Sequence, residues 1–228
     1  MMKFKLVNKQ PVAGDVVSFV FEPEQTVSPK AGQYFHYVLP HDDADDRGEE
    51  RWFTNSAAPS EGHVMISTRL VDEKSSFKRA LDALRPGEEV EADGPEGSFV
   101  VDDFSREYIF VAGGIGITPF RSILAEAKSN GSPLKATLLY GNRNENIPFK
   151  DELDAIAATN PSVVIKYLIE PERIDAVLVK QHVDEADDPL VYVSGPEPMV
   201  KSLGEELKGL GVAEGSIKLD DFPGYETI

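Results

Sequence analysis

One stretch near the middle of the chain constrains the fold more than any other. Residues 108–112 are aromatic, β-branched or small, a composition that predicts a buried strand. A glycine-rich turn follows at residues 113–119, and apolar residues then recur at helical spacing over residues 120–130. Gly131 lies where such a helix would end. The stretch therefore predicts a strand, a tight glycine turn and a helix in direct succession.

The turn between this strand and this helix is a candidate anion site. Thr118 is predicted to cap the helix, and Pro119 suits its first turn because a missing N–H costs nothing there. Bare glycine backbone, unpaired N–H groups and the helix dipole would together attract a diphosphate. A tight connection that binds no ligand fits the stretch equally well. The spacing also lacks the third glycine of the dinucleotide fingerprint, so an ordinary Rossmann reading fits poorly.

Composition excludes several classes of function. The chain has 228 residues, which is room for two modest domains, and no cysteine. Disulfides, thiolate zinc sites, cysteine nucleophiles and iron–sulfur clusters are therefore excluded. The four histidines are scattered, and no metal site is predicted. A net charge of −17 argues against a nucleic-acid partner, and the acidic runs at residues 41–46 and 184–188 are predicted to be solvated loops.

The sequence carries no sign of a membrane span or a secretory signal. No apolar run approaches the length of a membrane span, and the first five residues lack a signal-peptide core. We therefore expect a cytoplasmic protein.

Residues 1–103 are predicted to form a small antiparallel β-barrel. Short runs of β-branched and aromatic residues alternate with proline and glycine punctuation. One helical segment, with Phe77, Ala80, Leu81 and Leu84 on one face, interrupts the pattern, and Ser75 and Ser76 in front of it are candidate caps. The predicted strands cover residues 3–7, 16–21, 33–39, 51–56, 63–70 and 88–92.

Residues 104–228 are predicted to form an α/β domain with a five-stranded parallel sheet. Apolar runs typical of strands buried on both faces alternate with helical segments. Ligands of such sheets bind at the carboxyl ends of the strands. The predicted strands are residues 108–112, 136–141, 163–169, 190–194 and 217–222, and the predicted helices are residues 119–130, 149–158, 173–181 and 197–210.

A second motif, Arg51, Trp52, Phe53 and Thr54, ends one of the predicted barrel strands. An arginine can bind a diphosphate through two hydrogen bonds, an aromatic ring can stack on a flat ligand, and a hydroxyl can bond a ring nitrogen. Strand alternation puts Arg51 and Phe53 on one face and Trp52 and Thr54 on the other. The alternative interpretation is that these residues form an edge strand with an exposed arginine and bind no ligand.

The order of these residues resembles the Arg-x-Tyr-Ser flavin motif of the ferredoxin–NADP reductase superfamily. The resemblance implies that Arg51 holds the flavin phosphates, that Phe53 lies against the isoalloxazine ring and that Thr54 bonds flavin N5. Trp52 is counted with this motif. Phenylalanine in place of tyrosine removes one hydroxyl group, whereas threonine in place of serine keeps the donor.

Further stretches of the barrel domain resemble the same superfamily in the same order. Lys74, Ser75 and Ser76 are similar to its second phosphate contact, at a helix N-terminus. Ile66, Ser67 and Thr68 fall on the strand that in the family offers backbone groups to the flavin pyrimidine edge. The Gly-Pro-x-Gly-x-Phe segment at residues 94–99 is similar to the one that closes the family's barrel.

The resemblance continues through the α/β domain. The glycine turn is similar to the family's nicotinamide-dinucleotide loop, and residues 194–199 to its Cys-Gly-Pro-x-x-Met, with serine in the cysteine position. An arginine after the second strand would pair with a 2′-phosphate, which places NADPH slightly ahead of NADH, or would be an ordinary loop arginine. A C-terminal aromatic would cover the flavin, or the tail would pack on the sheet. The residues implied are Gly113, Gly114, Gly116, Thr118, Pro119, Asn142, Arg143, Ser194, Gly195, Pro196, Met199, Phe222 and Tyr225.

The resemblance implies a flavin-dependent oxidoreductase. Electrons would move between NAD(P)H and a separate one-electron carrier such as a ferredoxin, flavodoxin or haem protein, with hydride passing through flavin N5 near Thr54, Ser194 and Phe222. The expected cofactor is FAD, with FMN as an alternative, and NADPH or NADH is the co-substrate. A non-catalytic flavin-binding or nucleotide-binding subunit and a free flavin reductase are the other functions considered. A dehydrogenase acting directly on an organic substrate would need an acid–base group that the sequence does not offer.

Overall fold

The computed structural model describes residues 1–71 and 75–222 of the chain. Within these residues the chain forms a six-stranded antiparallel sheet followed by a five-stranded parallel sheet with helices. The predicted fold class, a β-barrel followed by an α/β domain, is confirmed. No helix in the described part of the chain combines the length and the apolar character needed to cross a membrane.

The first sheet curves around a core of aromatic side chains. Phe4, Phe19, Phe35 and Tyr37 are fully buried in it, because they alternate with outward-facing residues along their strands. The first helix adds Phe77 to the same core. The elements are β1 (Met2–Ala13), β2 (Val16–Pro23), β3 (Tyr34–Val38), β4 (Glu50–Thr54), β5 (Val64–Arg69), α1 (Ser76–Ala83) and β6 (Glu89–Glu96), with sheet order β4-β3-β6-β1-β2-β5.

The second sheet is buried on both faces. In its central strand, Tyr108 and Phe110 pack into one apolar core, whereas Ile109 and Val111 pack into the other. The elements are β7 (Glu107–Gly113), α2 (Thr118–Asn130), β8 (Lys135–Asn142), α3 (Lys150–Thr159), β9 (Val163–Ile169), α4 (Ala176–Glu185), β10 (Leu190–Pro196), α5 (Glu197–Gly209) and β11 (Ile217–Phe222).

The order of the parallel strands fixes where a ligand can bind. The order is β11-β10-β7-β8-β9, so the chain runs outward from β7 on one side and later returns to its other side at β10. The switch point of this sheet is therefore the crevice at the carboxyl ends of β7 and β10. The glycine turn and the Ser194 motif both end strands at this crevice.

Local signals explain three of the helix ends. Gly131 adopts a left-handed conformation and ends α2 where the sequence predicts, and Ser75 caps α1 by accepting a hydrogen bond from the Lys78 N–H at 3.4 Å. The helix α4 begins three residues later than predicted, because the Asp175 carboxylate accepts from the Leu178 N–H at 2.8 Å and caps it there.

Candidate functional site

The glycine turn brings the ends of β7 and β10 into direct contact. A Cβ atom at Gly116 would overlap the main-chain oxygen of Ser194, and one at Gly113 would overlap the sulfur of Met199. Gly195 in turn lies against the backbone of Gly113. The two predicted motifs of the α/β domain therefore meet at the switch point, and glycine is required at residue 116 because backbone packs on backbone there.

The start of α2 differs from the sequence-based prediction. A short 3₁₀ turn, Gly114–Ile117, runs straight into the helix, so Thr118 is its first residue rather than its cap. The Thr118 hydroxyl donates to the main-chain oxygen of Ile115 at 3.2 Å. The predicted cap is therefore wrong, whereas Pro119 does lie in the first turn of α2.

Ser194 is fully buried at the end of β10 and is paired with a carboxyl group. Its hydroxyl donates to Oδ2 of Asp220 at 3.1 Å, because the parallel register of β10 and β11 places these residues side by side. Burial raises the pKa of Asp220 to about 6, the nearby Asp221 carboxylate adds to this, and the hydrogen bond from Ser194 opposes it. Asp220 can therefore hold or release a proton near neutral pH.

The side-chain amide of Asn142, at the carboxyl end of β8, is buried without a hydrogen bond of good geometry within the described residues, and the Tyr140 hydroxyl is its polar neighbour. Asn142 is 4% exposed, and neither Oδ1 nor Nδ2 of its side chain makes such a bond. A buried amide of this kind costs free energy unless a ligand or water satisfies it. The position fits a polar ligand at this edge of the sheet. Arg143, the next residue, is exposed.

In the barrel, Arg51 and Phe53 lie on one face of β4 and both contact Phe77 of α1. The Arg51 guanidinium lies 5.5 Å from the Phe77 ring centroid, and the Phe53 and Phe77 centroids are 5.8 Å apart. Trp52 points the other way, is 58% exposed and stacks on His36 at 4.6 Å. The structure thus brings Arg51 and Phe53 together beside α1 and places Trp52 on the opposite side.

Arg51 and the N-terminus of α1 already hold an anionic group. The carboxylate of Asp45 accepts from Arg51 Nη2 at 3.1 Å and from the Ser76 N–H at 2.9 Å. The hydrogen bond from the Ser76 backbone lowers the pKa of Asp45 to about 2, and the bond from Arg51 contributes to this. Because the carboxylate shares charge and acceptor oxygens with a phosphate, these donors fit a phosphate group. The acidic run that contains Asp45 is therefore not simply a solvated loop.

The remaining barrel residues of the predicted site are mostly buried. Thr54 is 6% exposed at the end of β4. The Ser67 hydroxyl lies 2.6 Å from that of Ser18 and 2.7 Å from that of Ser56, so it is engaged within the protein. Ile66 belongs to the barrel core, and Thr68 is buried. Lys74 and Tyr225 lie outside the described residues, as does the side chain of Phe222.

An arginine that the sequence analysis did not single out joins the two sheets. Arg121, in the first turns of α2, is 6% exposed and donates to the main-chain oxygen of Ser56 at 2.9 Å. It also pairs with Glu61 beside the barrel and with Glu152 of α3. The hydroxyl of Ser122 donates to the main-chain oxygen of Ala57 at 2.7 Å. The helix that begins at the glycine turn is thus attached to the segment that directly follows Thr54.

A cavity of about 730 Å³ lies beside this attachment. Its walls include Ser18 and Met65 from the barrel and Arg121, Phe149 and Glu152 from the α/β domain. Among the residues that the structure describes, none of those predicted for the cofactor site lines this cavity. It is therefore separate from the candidate site.

The α/β domain matches a known family model. Residues 110–204 match the family described as an oxidoreductase NAD-binding domain. Among curated proteins, the chain is 33% identical over 199 residues to one subunit of the Na⁺-translocating NADH-quinone reductase of Neisseria meningitidis, an alignment that covers 76% of this chain and 49% of the relative. It is 26% identical over 234 residues to the flavohemoprotein of Pseudomonas putida, an alignment that covers 96% of this chain and 58% of the relative. The chain spans about half the length of these relatives.

Solved structures share the arrangement of both sheets. A cytochrome P450 reductase from Amycolatopsis aligns with a TM-score of 0.82 at 19% identity, covering 97% of this chain and 69% of that one. The cytochrome b5 reductase domain of Ulva prolifera nitrate reductase aligns with a TM-score of 0.77 at 24% sequence identity, and the alignment covers 97% of each chain. The ferredoxin–NADP⁺ reductase of Plasmodium falciparum aligns with a TM-score of 0.80 at 15% sequence identity, and the alignment covers 96% of this chain and 95% of that one.

Fold and site together define a two-domain protein in which an antiparallel barrel is followed along the chain by an oxidoreductase NAD-binding domain. Residues 110–204 match the oxidoreductase NAD-binding family, and the chain as a whole shares the fold of these reductases, which is the fold that its motifs predicted.

Proposed function

We propose that the protein is a flavin-dependent oxidoreductase that moves electrons between NAD(P)H and a separate one-electron carrier. The observation that carries the proposal is the attachment of α2 to the barrel through Arg121 and Ser56. This attachment fixes the distance between the glycine turn and the strand that ends at Thr54. Hydride transfer between two cofactors needs a fixed distance between them.

The barrel supplies the residues of the proposed flavin site. Arg51 and the Ser76 N–H would hold a phosphate group, Phe53 offers a half-buried ring beside them, and Thr54 supplies the hydroxyl assigned to N5. A bound flavin would supply two-electron acceptance from NAD(P)H and release of single electrons. We propose FAD as the cofactor. A flavohemoglobin of Malassezia yamatoensis with this fold was solved with bound FAD, which supports the choice over FMN.

The carboxyl edge of the parallel sheet would bind the dinucleotide. The glycine turn and the start of α2 suit a diphosphate, and the unpaired Asn142 amide suits a polar group of the adenosine half. Exposed Arg143 would pair with a 2′-phosphate and favour NADPH. Ser194 and Asp220 would take up or release a proton at Asp220 Oδ2 beside the reacting rings.

The acceptor is proposed as a separate carrier protein, either a ferredoxin, a flavodoxin or a haem protein. Similarity to a component of the Na⁺-translocating NADH-quinone reductase favours a second candidate, an electron-transfer subunit of a larger assembly. Transfer to ferricyanide, a small one-electron acceptor, would occur in both cases. A non-catalytic subunit would bind a flavin and reduce nothing. The cytoplasmic location remains a prediction.

An anaerobic spectral titration tests the proposal. The purified protein should show flavin absorption bands that bleach on addition of NADPH or NADH, and ferricyanide should restore them. Replacing Arg51 by Met should weaken flavin binding, whereas Arg106→Met, which removes an arginine paired with Asp188, should not. A colourless protein that takes up no added flavin, or a bound flavin that neither nucleotide bleaches, would contradict the proposal.

The same titration addresses the choice of nucleotide. In Arg143→Ala, the affinity for NADPH should fall about tenfold while that for NADH stays constant, because only NADPH carries the 2′-phosphate. Equal losses for both nucleotides would contradict the role proposed for Arg143.

A further inference from the structure

The loop between β3 and β4 encloses Arg51. Arg51 is 7% exposed, and its Nη1 donates to the main-chain oxygens of Arg47, Gly48 and Glu50 at 2.8, 3.0 and 2.6 Å. Its Nη2 donates to the carboxylate of Asp45, which belongs to the same loop. Every one of these acceptors comes from residues 45–50, so the loop and the arginine form one unit.

Asp45 also connects this loop to α1. Its second carboxylate oxygen accepts from the Ser76 N–H, and its own N–H donates to the Ser76 hydroxyl at 3.0 Å. A buried guanidinium and a helix N-terminus thus converge on a single carboxylate. Both donors carry positive charge or partial charge, so the position is suited to an anion and is filled by one from the chain itself.

We infer that Asp45 is an internal anion that competes with the flavin phosphate for Arg51 and the N-terminus of α1. The inference deepens the proposed function and rests on it for the identity of the ligand. The Nη2 atom of Arg51 and the Ser76 N–H both donate to Asp45, and Nη1 of Arg51 donates to three main-chain oxygens, so a phosphate can take the Nη2 and Ser76 bonds only by displacing the carboxylate. The Asp45 carboxylate therefore has to leave before a phosphate binds, and it lowers the affinity of the site.

Inorganic pyrophosphate tests the competition without a flavin. We expect Asp45→Ala to bind pyrophosphate about tenfold more tightly than the wild type in isothermal titration calorimetry, since the competing carboxylate is gone. Asp46→Ala is the matched control: it removes the same charge from an exposed position of the same loop and should bind like the wild type. If Asp45→Ala proves unstable, Asp45→Asn, which keeps the size of the side chain, replaces it. This variant should bind pyrophosphate more tightly than Asp46→Asn does.

Two outcomes would overturn the inference. One is equal affinity of the Asp45 and Asp46 variants, which would leave Asp45 as a cap of α1 and nothing more. The other is that no variant binds pyrophosphate, although a thermal unfolding transition shows that the variant is folded. Flavin affinity measured in parallel separates this test from the proposed function. Tighter pyrophosphate binding without any flavin binding would support the role of Asp45 and contradict the flavin assignment.

Limited proteolysis supplies a second readout. Displacement of Asp45 should free residues 45–50, including the bond after Arg47, whose main-chain oxygen Arg51 now binds. Trypsin should therefore cut after Arg47 faster in Asp45→Ala than in Asp46→Ala, and saturating pyrophosphate should accelerate this cut in the wild type. A cleavage rate that responds neither to the substitution nor to pyrophosphate would contradict the displacement.

Discussion

The Nη1 atom of Arg121 donates to the main-chain oxygen of Ser56 at 2.9 Å, across the junction of the two sheets. Ser56 lies two residues after Thr54, and Arg121 lies in the first turns of the helix that starts at the glycine turn. The guanidinium also pairs with Glu61 and Glu152 and lies 5.7 Å from the Phe149 ring centroid. One buried side chain thus links the barrel to two helices of the α/β domain.

Replacing Arg121 by Met should lower the free energy of unfolding by about 2 to 3 kcal/mol, measured by urea denaturation. The loss is smaller than for a fully buried pair because Glu61 and Glu152 are about one-third exposed and can regain water. Arg106→Met, which removes a pair with the exposed Asp188 carboxylate, should cost less than about 1 kcal/mol. Equal losses in the two variants would contradict this role for Arg121.

The same substitution should slow hydride transfer in the proposed reaction. If Arg121 fixes the distance between the two cofactors, the stopped-flow rate of flavin bleaching should fall about tenfold or more, with little change in nucleotide affinity. Arg121→Lys keeps the charge and should recover part of the rate. A stable variant that bleaches at the wild-type rate would show that the contact serves stability alone.

Glu61 provides a pH signature of this contact. Burial would raise its pKa, but the hydrogen bonds and the charge of Arg121 outweigh burial and keep the pKa below 4.5. The stability contributed by the pair is therefore present above pH 4.5 and is lost as the pH falls through the folded-state pKa. In Arg121→Met this acid-side loss should shrink, which thermal unfolding between about pH 3 and 6 would measure.

Asp220 should produce a pH dependence of the opposite sign. Its folded-state pKa of about 6 lies above its usual 3.8, so this group binds more protons in the folded state between these values. Its contribution to stability should therefore decline as the pH rises from about 4 to about 6. Asp220→Asn should be more stable than the wild type by about 2 kcal/mol at about pH 8, and equal to it at about pH 4. Asp221→Asn removes only the neighbouring charge that adds to this shift, so it should keep the transition but move it to slightly lower pH.

The sequence predicts the fold well because its signals are local. Alternating aromatic residues in the barrel, the apolar run of β7 and the left-handed glycine after α2 act on their immediate neighbours. The cap at Thr118 was predicted wrongly because the short Gly114–Ile117 turn already forms helical hydrogen bonds before it. A pattern of residue types does not distinguish that turn from a loop.

The contacts that assemble the site are long-range and could not be predicted in this way. Arg121 is 65 residues from Ser56, and on a helix it has the pattern of an ordinary polar residue. Asp220 meets Ser194 only through the register of two parallel strands. Asp45 lies in an acidic run whose composition predicts solvation, yet it binds Arg51 and α1. In each case the partner is set by topology rather than by sequence spacing.

Gly116 should tolerate no larger residue. In Gly116→Ala the new Cβ would overlap the main-chain oxygen of Ser194, and backbone cannot move aside as a flexible side chain can. We expect a loss of about 1 to 3 kcal/mol in unfolding free energy. Gly209→Ala is the control, since a Cβ there meets no atom within 4 Å and alanine favours the helix that it ends. A variant Gly116→Ala as stable as Gly209→Ala would contradict the close approach of β7 and β10.

Asn142 should separate nucleotide binding from stability. Its buried amide makes no hydrogen bond of good geometry within the described residues, so Asn142→Leu, which removes both unpaired polar atoms and keeps a similar volume, should unfold at the same denaturant concentration or a higher one. If the amide instead awaits the dinucleotide, the same variant should bind NAD(P)H about tenfold more weakly. Asn144→Leu, at an exposed position two residues on, should leave nucleotide affinity unchanged and should cost only the exposed hydrogen bond from the Asn146 N–H. Weaker folding with unchanged nucleotide affinity would mean that the amide is satisfied within the protein and that the adenosine half binds elsewhere.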